Sequence, residues 1–189
     1  MKKESRLFYL LQELLIVTTG VLIAVSINNY KESLDDKQYL QKTLLAIENE
    51  IKLTQVELDT VLEKHLKLYQ KLEDEWGERE QTIGEFVANS GGFQVAFVQN
   101  ISLRFFVAHK AELLDFETIS GLAEIESRAN LLSKKLDRFT DFAYQNISAK
   151  NPEAFMEFAY LLSDVIDGEQ ALLESYADFL KKHEAPARN

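Results

Sequence analysis

The sequence contains no cysteine, only two prolines and only seven glycines among its 189 residues. The lack of cysteine excludes disulfides, thiolate nucleophiles and zinc–thiolate sites together. The scarcity of proline and glycine leaves few points at which a helix has to end or bend. Neither residue occurs between Gly20 and Gly77, so a single helix can run through the whole interval.

The usual motifs of catalysis and metal binding are also missing. None of the three histidines, His65, His109 and His183, belongs to a Glu-x-x-His or His-Glu-x-x-His pattern, which excludes the ligand patterns of di-iron bundles and zinc proteases. His109 and Glu112 share a helix face, but no second pair accompanies them. There is no nucleophile elbow, phosphate loop or dinucleotide fingerprint. We therefore expect no enzymatic activity, no cofactor, no metal and no small-molecule substrate.

The charge is distributed unevenly along the chain. Residues 1–30 hold three basic residues, Lys2, Lys3 and Arg6, and two acidic residues, Glu4 and Glu13, which gives +1; the total of −10 leaves −11 for the remaining 159 residues. An acidic body repels phosphate backbones and anionic lipid surfaces. Nucleic acid is therefore not an expected partner.

The apolar run from Leu7 to Ile27 predicts a transmembrane helix. Its 21 residues span roughly 31 Å as a helix, which matches the hydrocarbon core of a bilayer. Because basic residues precede the run, we expect the N-terminus in the cytoplasm, the helix in the inner (plasma) membrane and the body in the periplasm or another extracytoplasmic space. Two alternatives remain open: a signal peptide with a cleavage site near Ala24-Val25-Ser26, and a buried core helix of a soluble protein.

One face of this segment carries residues suited to contact with another helix. Gly20 and Ala24 form a small-x-x-x-small pair, which allows two helices to approach closely. Glu13 lies about two turns inside the apolar run; its carboxyl group either reaches the headgroup region, or is neutral, or finds a donor on another helix. The predicted membrane-helix interface, toward a second copy or another membrane protein, consists of Glu13, Val17, Gly20, Ala24 and Ile27.

Residues 13–32 resemble the anchor of an uncharacterised family of membrane-anchored proteins found mainly in Bacteroidota and described only as a domain of unknown function. The shared pattern is Glu-x6-Gly-x3-Ala-x2-Ile-Asn-Asn-(Trp/Tyr), and this chain fills it with Glu13, Gly20, Ala24, Ile27, Asn28, Asn29 and Tyr30. Thr18-Thr19 replaces apolar residues, and Tyr30 stands where the family has tryptophan. The resemblance implies a membrane-anchored protein of unknown activity and brings no catalytic residues.

After the anchor, residues 29–76 are predicted to form one long helix with a heptad seam. The seam residues recur at steps of four and three: Leu40, Leu44, Ile47, Ile51, Thr54, Leu58, Val61, His65, Leu68 and Leu72. The first four form the predicted stalk seam, which contacts either another chain or later helices of the same chain. From Leu53 a second apolar stripe appears, which indicates burial against more than one neighbour.

The rest of the chain predicts shorter elements. A short helix at 79–88 precedes a break at Asn89–Gly92. The spacing of residues 93–106 fits a strand and a helix equally well, and we expect a helix or irregular structure there because no other segment offers a strand partner. We expect a helix at 107–120 that Gly121 caps, and a further helix at 122–147. Asn151-Pro152-Glu153 predicts the start of the last helix, in which Gly168 is a candidate kink.

The predicted fold is all-α: a single N-terminal transmembrane helix continues into a long stalk helix and an antiparallel helical bundle. The expected segments are a cytoplasmic tail at 1–6, the membrane helix at 7–28, the stalk at 29–52, the bundle at 53–182 and a flexible tail at 183–189. We expect a membrane-anchored helical scaffold or accessory subunit of a cell-envelope complex that self-associates through its membrane face and stalk. The alternative is a periplasmic bundle that senses a ligand and signals through a partner.

Overall fold

The computed structural model describes residues 2–74, 80–98 and 113–183, with side chains from Phe8 onward in the first helix. Over this part of the chain it contains four helices and no strand, which confirms the all-α prediction. They are α1 (Lys2–Asp74), α2 (Ile83–Asn89), α3 (Phe116–Gln145) and α4 (Pro152–His183). The chain divides into two compact units, Met1–Leu44 and Leu45–Asn189, and α1 contributes to both.

In the first unit, α1 exposes an apolar surface. Every described side chain from Phe8 to Asp35 is exposed, and the helix is long and apolar enough there to cross a membrane. Two hydroxyl side chains bond to the helix itself: Thr18 donates to the Leu14 carbonyl oxygen at 2.8 Å, and Ser26 donates to the Leu22 carbonyl oxygen at 2.7 Å. These bonds reduce the cost of placing hydroxyl groups in hydrocarbon.

In the second unit, α1, α3 and α4 form a bundle. α3 and α4 are antiparallel, because Thr118 near the start of α3 meets His183 at the end of α4, while Arg138 farther along α3 meets Glu157 near the start of α4. The seam of α1 predicted from the sequence is buried in this bundle: Ile47, Ile51, Thr54, Leu58, Val61, His65, Leu68 and Leu72. Each residue is 6 % exposed or less.

Two glycines singled out in the sequence lie inside continuous helices, and the prediction that Gly121 caps a helix was wrong. Gly121 lies within α3, and Gly168 lies within α4. Their role is close packing: a Cβ on Gly121 would lie 3.1 Å from the Phe179 ring, and one on Gly168 would lie 3.2 Å from Leu132 Cδ1. The absence of a side chain at each glycine therefore leaves room for the neighbouring helix.

The described helix starts follow local capping chemistry. Thr82 caps α2 in a capping box with Glu85: the Thr82 hydroxyl accepts from the Glu85 N–H at 3.1 Å, and the Glu85 carboxylate accepts from the Thr82 N–H at 2.8 Å. Asp115 caps α3 by accepting from the Thr118 N–H at 2.8 Å. Pro152 occupies the first position of α4, as predicted. Because these caps decide where helices begin, α2 starts at Ile83 and α3 starts at Phe116.

The two acidic caps predict a loss of stability in acid. Bonds from the Thr82 backbone N–H and hydroxyl lower the pKa of Glu85 below 4.5, and bonds from Thr118 lower the pKa of Asp115 below 3.8. A carboxyl whose pKa is lower in the folded state stabilises fully above its unfolded pKa, and that stability is lost as pH falls through the folded pKa. Urea unfolding followed by circular dichroism should therefore give a falling unfolding free energy below about pH 4.5.

Two matched variants keep a hydrogen-bond acceptor at each position and remove the carboxyl group that titrates. Glu85→Gln and Asp115→Asn retain a side-chain oxygen for the capped N–H groups, so each should flatten part of the acid dependence. An unchanged slope in the double variant would contradict this assignment.

Candidate functional site

The predicted membrane-helix interface is open along its whole length. Glu13, Val17, Gly20, Ala24 and Ile27 are all exposed on α1. A Cβ on Gly20 would meet nothing within 4 Å, so no contact within the described chain requires a glycine there. The face is therefore available to a partner.

The burial of the predicted stalk seam differs along its length. Leu40 and Leu44 are half-buried, whereas Ile47 is 2 % exposed and Ile51 is 6 % exposed. Ile47 and Ile51 are covered by other parts of their own chain, within the Leu45–Asn189 unit. Ile47 and Ile51 are thus not available for contact with another chain.

The most elaborate polar arrangement in the bundle surrounds His65, whose side chain is 1 % exposed. Its Nε2 lies 2.8 Å from the Gln94 carbonyl oxygen, which can only accept, so Nε2–H donates. Its Nδ1 lies 2.9 Å and 3.0 Å from the two carboxyl oxygens of Glu169, which is also 1 % exposed. A carboxylate oxygen and an unprotonated ring nitrogen can both only accept, so a hydrogen bond here needs a proton on Nδ1 or on the carboxyl group.

His65 also fixes an irregular segment, residues 92–98, against the bundle. The Phe93 ring stacks on the His65 ring with a centroid distance of 4.3 Å and contacts the Phe139 ring at 4.5 Å. Lys64 Nζ donates to Gln94 Oε1 at 2.5 Å, and the Phe97 N–H donates to Glu57 Oε1 at 3.0 Å. These contacts align residues 93–97 antiparallel to α1 without forming a strand.

The role of the His65–Glu169 arrangement is structural. Both ring nitrogens of His65 are used, and neither His65 nor Glu169 reaches solvent, so the pair presents no free ligand atom or base to a substrate. Among the described residues, no group of three or more His, Asp or Glu side chains could hold a metal ion. His109 and Glu112, weighed above as a metal pair, lie outside the described residues.

A second polar cluster joins the start of α3 to the end of α4. The Thr118 hydroxyl lies 2.9 Å from Asp115 Oδ2 and 2.9 Å from His183 Nε2, while His183 Nδ1–H donates to the Phe179 carbonyl oxygen at 2.8 Å. A hydroxyl beside an imidazole resembles a nucleophile beside its base. Thr118 is only 3 % exposed, however, and Asp115 bonds to the hydroxyl rather than to the imidazole. The cluster therefore links the start of α3 to the end of α4.

The bundle surface has a shallow groove of about 520 Å³ between α1 and α4. Two tyrosines and one methionine give it apolar walls, and Tyr160 is 63 % exposed. The lining residues are Tyr69, Leu72, Glu73, Met156, Ala159, Tyr160 and Ser163.

The sequence placed His65 in the heptad seam, but it did not identify Glu169 and Gln94 as its partners. A signal for Glu169 was present, because it occupies the apolar line of α4 between Val165 and Leu172. An acid at a core position usually needs a buried partner. Gln94 gave no such signal, since it bonds to His65 through its backbone.

Breaking the His65–Glu169 pair should be costly. Glu169→Leu leaves His65 Nδ1 buried without a hydrogen-bond partner, and we expect it to lower the unfolding free energy by about 1–3 kcal/mol. The double variant His65→Phe/Glu169→Leu removes both polar groups and keeps an aromatic ring beside Phe93. Its loss should be smaller than the sum of the single losses by about 1–3 kcal/mol. Additive losses in urea unfolding would rule out the coupling.

Comparisons with protein-family models, curated proteins and solved structures found no match. The resemblance of residues 13–32 to the Bacteroidota anchor family therefore stays a prediction, and the function has to be argued from the geometry of this chain.

Proposed function

We propose that this protein is a membrane-anchored helical scaffold or accessory subunit of a cell-envelope complex and that it self-associates. The observation that carries this proposal is the continuity of α1, which holds both an uncovered apolar segment and a seam buried in a bundle. The described part of the bundle uses its buried polar groups on one another. Such a chain suits holding a folded domain at a membrane, and we propose no catalytic activity for it.

The proposed topology places the N-terminus in the cytoplasm and the bundle on the opposite side of the inner membrane. The basic residues Lys2, Lys3 and Arg6 precede the apolar segment, and the positive flank of an anchor is retained on the cytoplasmic side. On the other side of the segment, Lys31, Lys37 and Lys42 are more widely spaced than the three basic residues that precede it.

The cysteine-free sequence allows a direct topology test. Ser120→Cys introduces one thiol at an exposed position of α3. A maleimide that cannot cross membranes should label this thiol in intact cells whose outer barrier has been permeabilised, without lysis of the inner membrane. A cysteine at Lys3 should be labelled only after lysis. The reverse pattern would contradict the orientation.

Self-association is proposed for the membrane helix because Glu13 is exposed there and no contact within the described part of the chain requires a glycine at position 20. Hydrocarbon tails solvate leucine as well as another helix does, so association in a bilayer depends on close packing and polar contacts. Gly20 offers close packing, and Glu13 offers a polar group. In the stalk, the half-buried Leu40 and Leu44 can extend the contact.

Native mass spectrometry in mild detergent tests this proposal. We expect the intact chain to form a defined oligomer, and Gly20→Leu to reduce the oligomeric fraction about tenfold because a bulky side chain prevents close approach of the helices. Val21→Leu is the matched control, since it changes size one residue away on a different face. Glu13→Gln measures the contribution of the carboxyl group. A monomer for the unmodified chain at all concentrations would contradict self-association.

The groove between α1 and α4 is the observation that favours the alternative function, a ligand-sensing bundle. The same mass spectra distinguish the two functions. A monomer that retains a bound small molecule, and loses it in Tyr160→Ala, would favour the sensor.

A further inference from the structure

The heptad register of the buried seam continues into the membrane segment. Because α1 is uninterrupted from Lys2 to Asp74, the register can be counted back from Ile47 in steps of three and four. The count passes Leu44, Leu40, Lys37 and Ser33 and then enters the apolar segment. We define the membrane seam as the seven residues that follow in this count: Tyr30, Ser26, Ile23, Thr19, Ile16, Gln12 and Tyr9.

The membrane seam is chemically regular. One line of the seam holds only polar residues, Gln12, Thr19 and Ser26, each seven residues from the next. The other line holds isoleucine at 16 and 23 and tyrosine at both ends, at 9 and 30. All seven side chains are exposed. Polar residues within a membrane helix usually face protein rather than lipid. Their heptad spacing thus marks one side of the helix for contact.

The polar seam residues differ in how their hydrogen bonds are satisfied. Ser26 donates to the Leu22 carbonyl oxygen within α1. The Gln12 amide and the Thr19 hydroxyl make no hydrogen bond within the described part of the chain. An amide and a hydroxyl each carry both a donor and an acceptor, so each can bond to the same group on an identical helix.

The occupant that fits these groups is a second copy in the same orientation. All copies of one anchor insert in the same direction, so a pair of them is parallel and brings Gln12 opposite Gln12 and Thr19 opposite Thr19. A single asparagine at a core position sets the register of parallel coiled coils through the same self-complementary bonding. An unrelated membrane helix would need matching polar residues at the same spacing.

We propose that two copies of this chain pair in parallel through the membrane seam as a left-handed coiled coil, with Gln12 and Thr19 hydrogen-bonded between the copies. A seven-residue repeat is shorter than two turns of a straight helix, so the pair has to coil left-handedly. The inference rests on the proposed self-association and assigns its geometry. Glu13, Gly20 and Ile27 then flank the contact, while Val17 and Ala24 lie outside it.

Polar residues end the membrane seam on its C-terminal side. Ser33 and the exposed Lys37 follow Tyr30 in the register, and neither provides an apolar contact. From Ile47 onward, the seam is buried within its own chain. Continuous pairing in the apolar segment therefore extends from Tyr9 to Tyr30, and Ser33 and Lys37 separate it from Leu40 and Leu44.

A cysteine scan tests the proposed geometry. The chain has no cysteine, so each residue from 12 to 26 can be replaced in turn in the full-length protein and oxidised in native membranes. We expect disulfide-linked dimers to peak at positions 12, 16, 19, 23 and 26 and to be lowest at 14, 18, 21 and 25. Peaks at 13, 17, 20 and 24 would overturn the left-handed seam yet support self-association. No disulfide at any position, with a monomeric mass for the unmodified chain, would overturn both.

Two adjacent threonines supply a matched pair of variants. Thr19 lies on the seam, whereas Thr18 lies off it and bonds to Leu14. Energy transfer between labelled copies in micelles should show dimerisation weakened about threefold by Thr19→Val and about threefold to tenfold by Gln12→Leu. Thr18→Val should leave dimerisation unchanged. Equal losses for the two threonine variants would overturn the assignment of the seam.

Discussion

An uninterrupted helix satisfies its backbone N–H and C=O groups within itself, which is what a span of hydrocarbon would require, and the rest of this structure depends on the continuity of α1. Neither proline nor glycine interrupts it between Gly20 and Asp74, so its hydrogen-bond ladder continues from the apolar segment into the bundle. The hydroxyls of Thr18 and Ser26 add bonds to backbone oxygens of the same helix. Continuity of the backbone also means continuity of side-chain register, and that register determines which residues of α1 are buried.

Within the bundle, the polar residues of the seam act on register more than on stability. Thr54 is satisfied by its own helix, since its hydroxyl donates to the Glu50 carbonyl oxygen at 2.9 Å. His65 cannot be satisfied in that way and takes partners from α4 and from residues 92–98. A shift of α1 by one heptad would bury another hydrophobic residue at little cost but would leave His65 and Glu169 unpaired, which is expensive in a core. The pair therefore selects one alignment among several that hydrophobic packing alone would allow.

The features that the sequence predicted correctly are those set by local patterns or by periodicity over many turns. The seam of α1 from Ile47 to Leu72 and the start of α4 at Pro152 are local patterns, and the structure has both. Gly121 was misread because a glycine at a helix end and one beneath a neighbouring helix look the same in a sequence. Only the close approach of Phe179 distinguishes them. The partnership of His65 with Glu169 joins residues 104 apart, and no local pattern encodes such a distance. The exposed face with Glu13 and Gly20 was predicted from spacing, whereas the space around Gly20 required coordinates.

The residue types at the heptad positions differ between the bundle and the apolar segment. In the bundle, where water is the competing environment, the heptad positions hold mainly leucine, isoleucine and valine, because burying apolar surface drives association there. In the apolar segment, lipid accommodates those side chains equally well, so leucine can no longer select one side of the helix. A heptad line can specify a partner in lipid only through groups that lipid cannot satisfy, and the membrane seam has such groups at Gln12 and Thr19. The proposed pairing therefore depends on Gln12 and Thr19, because leucine and valine on the same heptad line would not specify a partner if the segment lies in a bilayer.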